Sequence, residues 1–159
     1  MITDPGGVKA LIEVKTNIEK SDDKMKDIIK KMNENSELIE DKVNISEGKI
    51  FNGIFSFEGY DNIRRYTIER HINDGYRGFL GRNVVNYISL NSNIFIRKKK
   101  RIESQRFFEI FDLENLSFTY FISNLIDMIQ PFSKSIDYSL FYPYKSKMPN
   151  LWFSHEQQI

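Results

Sequence analysis

The chain has no cysteine, which removes disulfide frameworks and thiolate metal sites from consideration. This fits a reducing compartment, and a cytoplasmic location is the expectation. No apolar run approaches the ~20 residues of a membrane-spanning helix, and no signal-like segment precedes the first apolar stretch, so no membrane partner is expected. An excess of one charge is also missing: 23 basic and 22 acidic residues leave a net charge of +1. The field of the whole chain therefore gives no argument for a nucleic-acid partner, and any such argument must come from local patches. No internal repeat or inter-domain linker is visible. The 159 residues suit one domain with its own core. What is plentiful is aromatic, with thirteen Phe and eight Tyr, and this points to a β-containing interior.

The order of elements reads as α/β. Val8 to Thr16 has a strand pattern. Ser21-Asp22-Asp23 then offers a hydroxyl cap followed by two first-turn acids, which complement the helix dipole. Met25, Ile28, Ile29, Met32 and Ile39 follow at helical spacing, so a helix is expected over Ser21 to Ile39. Lys49 to Phe57 is rich in strand formers. Strand, amphipathic helix and strand make a βαβ unit, whose two strands should run parallel. Tyr60 to Ile72 predicts a second helix, stopped by Asn73-Asp74-Gly75. Val84 to Ile96 reads as a strand pair or long strand, interrupted near Asn91-Ser92-Asn93. Ile102 to Phe111 predicts an antiparallel strand. Asn115 can cap a helix reaching Ile129, before Pro131. The remaining aromatic segment lacks periodicity and is expected to be irregular. The expectation is a single α/β domain over 1–153, with 154–159 as a frayed tail.

Glu13 and Lys15 carry the most chemical information. Successive side chains of a strand alternate, so these two leave the backbone on one face. A carboxylate beside an ammonium on an otherwise apolar strand is costly to bury without a use. One use is to hold a divalent metal with the carboxylate while the lysine orients or activates an attacking water. The competing reading is a solvated charge pair on an edge strand.

Val8 to Asn17, with its Ile-Glu-Val-Lys-Thr core, resembles the third core strand of the PD-(D/E)XK (restriction-endonuclease-like) superfamily. The order of elements after it, from the Met25 to Met32 helix to the Leu116 to Ile129 helix, is similar to that family over about Val8 to Tyr144. The resemblance implies a truncated restriction-endonuclease-like core, a mixed β-sheet flanked by helices. It further implies Mg²⁺-dependent phosphodiester hydrolysis, with Glu13 as metal ligand and Lys15 as partner of the attacking water. The family's second carboxylate is an aspartate on the preceding strand, and the sole upstream candidate is Asp4. A tight turn at Pro5-Gly6 would leave Asp4 near Gly7, about 20 Å along the strand from Glu13. Asp22, Asp23 and Glu58 are the nearby alternatives, although the first two read as helix acids and the third as an exit-loop residue.

Arg97-Lys98-Lys99-Lys100-Arg101 is the one dense charge block. It is expected at the tip between two antiparallel strands, where it could rest on phosphates, with DNA the expected partner, or simply be solvated. Arg64, Arg65, Arg70, Arg77 and Arg82 add a looser basic zone. His71 and His155 are expected at the surface, and Gly78 with Gly81 reads as a loop. The sequence supports a nuclease-related DNA-processing or DNA-binding module, completed by its own second copy or by another subunit. Its rival is a non-catalytic assembly protein that keeps the fold.

Overall fold

The computed structural model describes residues 8–18, 22–40, 50–60, 64–79, 84–98, 108–129 and 151–153. In chain order they form β1 (Ala10–Ile18), α1 (Asp22–Glu40), β2 (Phe51–Gly59), α2 (Arg65–Tyr76), β3 (Tyr87–Ser89), β4 (Ile94–Lys98), β5 (Phe108–Asp112), α3 (Ser117–Ile129) and β6 (Leu151–Phe153). The strands make one mixed sheet in sequential order, β1 to β6. β1, β2 and β3 are parallel, joined by α1 and α2, while β4, β5 and β6 follow antiparallel. The α/β class and the helix-flanked mixed sheet are as expected.

Period-two alternation assigns the two faces. One face presents Ile54, Ile88, Ile96 and Ile110, which pack with Met25, Ile29 and Met32 of α1 and Ile68 and Ile72 of α2. The other presents Phe51, Phe95 and Phe111, which pack with Tyr120 and Phe121 of α3. α1 takes its place because Met25, Ile29, Met32 and Ser36 recur three or four apart and are buried, with lysines between them. A turn at Leu90 to Asn93 joins β3 to β4. There the Asn91 side-chain oxygen accepts the backbone N–H groups of Asn93 and Ile94, both at 2.8 Å. This is the interruption expected at Asn91-Ser92-Asn93.

Three expectations are corrected. β1 continues past the expected end at Thr16 to Ile18, so Glu13 and Lys15 lie well within the strand. α2 begins later than expected and runs straight through Asn73-Asp74-Gly75 to Tyr76. Gly75 does not end the helix; it packs closely against α1, where an added Cβ would lie 2.8 Å from the Ile29 Cβ. Helix packing has overridden a local stop signal. Lastly, Leu151–Phe153 is a strand paired with β5 rather than part of an irregular tail. Residues 102–107 of the expected Ile102 to Phe111 strand lie outside the described residues.

Candidate functional site

Glu13 and Lys15 share the α1/α2 side of the sheet, opposite Ile54 and Ser56 of β2. Lys15 Nζ lies 2.6 Å from Glu13 Oε1, with the two side chains 40% and 33% exposed. The ion pair is therefore wet and screened, and it contributes little to stability. Its chemical meaning is that one carboxylate and one ammonium are held together on a rigid strand. The next residues on this face are Asn17 of β1 and Glu58 of β2, which stand opposite each other in the register.

The backbone around the pair is asymmetric. The Phe51 N–H donates to the Lys9 carbonyl at 2.9 Å. In a parallel ladder the N–H and C=O of one residue point to the same side, so Lys9, Leu11, Glu13 and Lys15 bond toward β2. Ile12, Val14 and Thr16 point their backbone groups the other way, where no described strand lies. Among the described residues β1 is thus a nine-residue edge strand. Its far side carries hydrogen-bonding groups and its α3-side face leaves Val14 58% exposed. Phe57 on the same side of β2 is 54% exposed and packs edge-to-face with Phe55 at 5.0 Å.

The donor set does not by itself fit Mg²⁺. That ion asks for several hard oxygens in octahedral array, and among the described residues no group of three His, Asp or Glu side chains could hold a metal. Asp4 lies outside the described residues. Asp23 is exposed on the first turn of α1, and Glu58 is exposed near the end of β2 rather than in an exit loop. No step through a metal is derived from this geometry.

The basic block is divided. Arg97 and Lys98 end β4, while Lys99, Lys100 and Arg101 lie outside the described residues, as do Arg82, Gly81 and His155. Arg97 projects to the α3 side, on the opposite face from Glu13 and Lys15. Its Nε donates to Glu109 Oε2 at 2.6 Å, and its guanidinium sits 5.2 Å from the centre of the Phe111 ring. Arg97 braces β4 against β5, so it is engaged within the fold. Of the looser zone, Arg64, Arg70 and Arg77 are exposed around α2.

A buried polar junction at the carboxyl ends of β2 and β3 escaped the sequence reading. His71, expected at the surface, is 1% exposed. The Tyr60 hydroxyl lies 2.6 Å from His71 Nδ1, and Arg70 Nη2 is 3.5 Å from Nε2. The Asn91 amide donates to the Gly59 carbonyl at 2.8 Å, tying the two strand ends together. Gly59 and Tyr60 both have positive φ, +119° and +58°. The available signal was the stripe Ile68, His71, Ile72, whose spacing places the histidine on the core face of α2. At the other end of α2, Tyr76 donates its hydroxyl to the Val85 carbonyl, and burial pushes its phenol well above the usual range.

No family model, curated protein or solved structure matches the chain. Among the described residues no helix is long and apolar enough to cross a membrane.

Proposed function

We propose that the chain is the core of a nuclease-related, nucleic-acid-processing module and carries half of a hydrolytic site. The other half arrives on a strand that pairs with β1. The observation that supports this reading is the placement of Glu13 and Lys15, 2.6 Å apart on one face of a strand whose far side meets no described strand. β2 already occupies one flank of β1, so a strand bringing a second carboxylate must dock on the other. Once a second acid stands beside Glu13, the pair can hold Mg²⁺ against a phosphodiester, with Lys15 beside the attacking water. Lys98 and its basic neighbours in sequence are the groups proposed to contact a DNA backbone, and the cysteine-free composition suits work in the cytoplasm.

A second reading is favoured by one specific observation. The Glu13 carboxylate is already neutralised by Lys15, as it would be in a protein that only assembles. Purified protein incubated with supercoiled plasmid and Mg²⁺ or Mn²⁺ separates the two. The nuclease reading predicts metal-dependent relaxation that falls at least about 100-fold in Glu13→Ala and in Lys15→Ala. Relaxation that is absent from the wild-type protein, or unaltered in both variants, defeats it in favour of assembly.

A further inference from the structure

The side of β1 that no described strand covers is self-complementary, and we infer that its occupant is β1 of a second copy of this chain, running antiparallel about a two-fold axis through Val14. The inference rests on the reading of β1 as an edge to be completed, and it names what completes it.

Hydrogen-bond direction comes first. In an antiparallel ladder, residues directly opposite each other either exchange both backbone bonds or exchange none. A two-fold at Val14 sets Val14 against the partner's Val14 and Ile12 against the partner's Thr16. All of these residues point their N–H and C=O groups outward, as the Lys9 to Phe51 bond requires. Every bonded position therefore meets a bonded position. A two-fold at Glu13 or at Lys15 would also satisfy the backbone, but it would set two glutamates or two lysines directly opposite each other, which is destabilising.

Charge comes second. The same register sets Glu13 opposite the partner's Lys15 and Lys15 opposite the partner's Glu13, in the closely spaced non-bonded positions where side chains interact best. The 2.6 Å ion pair within one chain becomes a ring of four alternating charges across two chains. The partner's Glu13 thereby reaches the face that already holds Glu13, supplying a second carboxylate to the half-site.

Apolar burial comes third. On the opposite face the axis brings the half-exposed Val14 side chains together and extends the apolar strip that continues to Phe57. This removes an exposed strand edge of the kind that otherwise recruits partners indiscriminately. An isologous contact of this type closes after two copies.

Charge reversal tests the register. In sedimentation velocity across a dilution series, wild-type protein is expected to be a concentration-dependent dimer. Glu13→Lys alone sets lysines against lysines, and Lys15→Glu alone sets acids against acids. Each raises the dissociation constant by about tenfold or more. An equimolar mixture of the two variants restores the dimer as a heterodimer, and the double reversal Glu13→Lys with Lys15→Glu in one chain restores the homodimer. Recovery in the mixture or the double variant cannot come from misfolding. The inference is overturned by a wild-type monomer at the highest soluble concentration, by a dimer indifferent to both reversals, or by failure of both restorations. It also fails separately from the nuclease reading. A dimer in this register that leaves plasmid intact sinks hydrolysis alone, whereas metal-dependent cleavage by a monomer sinks the dimer alone.

Discussion

Replacing Gly59 by alanine tests how the ends of β1 and β2 are locked. Gly59 has φ +119°, outside the regions an L-residue adopts without strain, and faces Ile18 in the parallel register. An alanine Cβ would lie 3.1 Å from both the amide nitrogen and the carbonyl carbon of Ile18, and would overlap its carbonyl oxygen. These are backbone atoms in a ladder, so no side-chain rotation relieves the contact. The conformational strain is worth about 1–3 kcal/mol, and forcing the strands apart adds about 1–3 kcal/mol more. A combined loss of about 2–6 kcal/mol is a large part of the ~5–15 kcal/mol that holds such a domain together. Gly78→Ala is the internal control. Gly78 also has positive φ, +91°, but no described residue comes within 4 Å of its added Cβ. Its loss is expected at about 1–2 kcal/mol, from conformation alone. In urea denaturation followed by far-ultraviolet circular dichroism, the two midpoints should differ by about 1 M. Equal midpoints would refute the claim that Gly59 is fixed by contact with Ile18 rather than by its backbone angle.

The remaining predictions concern alkaline pH. The unfolded Tyr76 phenol ionises above about pH 10, whereas the buried one keeps its proton. The stabilisation is therefore whole below about pH 10 and is lost above it at about 1.4 kcal/mol per pH unit, until the folded group ionises as well. Urea denaturation between about pH 9 and 11 should show this slope, and Tyr76→Phe should flatten it while losing about 1 kcal/mol at neutral pH with the bond to Val85. A Tyr76→Phe slope equal to that of the wild-type protein would count against it. Tyr87 and Tyr120, both raised chiefly by burial, should leave a shallower residual slope of the same sign.

The elements were legible where local pattern and tertiary packing agree. α1 falls within a residue of its expected bounds because its apolar stripe, first-turn acids and packing face all select the same register. The first βαβ unit was equally plain. The second parallel crossover, from β2 through α2 to β3, was hidden because β3 has three residues and rests on its neighbours rather than on its own propensity. Asn73-Asp74-Gly75 misled because a glycine that permits helix-on-helix contact looks like one that ends a helix. His71 was misplaced because its partner, Tyr60, is a loop residue with a left-handed backbone that no periodicity reveals.

For the site, alternation alone correctly put Glu13 and Lys15 on one face. It could not show that β1 lies at the sheet edge, since strand order depends on which crossovers pack together. Nor could it show that Arg97 faces the opposite side of the sheet, tied to Glu109. That orientation comes from the β4–β5 register.

Amide hydrogen exchange along β1 tests the central claim, that this strand is an open edge completed by a second copy. At high dilution the N–H groups of Leu11, Glu13 and Lys15 should exchange slowly, held by β2, while those of Ile12, Val14 and Thr16 exchange fast. At high protein concentration all six should be slow. Protection of Ile12, Val14 and Thr16 at every dilution would show that the edge is already covered within one chain, and their rapid exchange at every concentration would show that no second copy docks there.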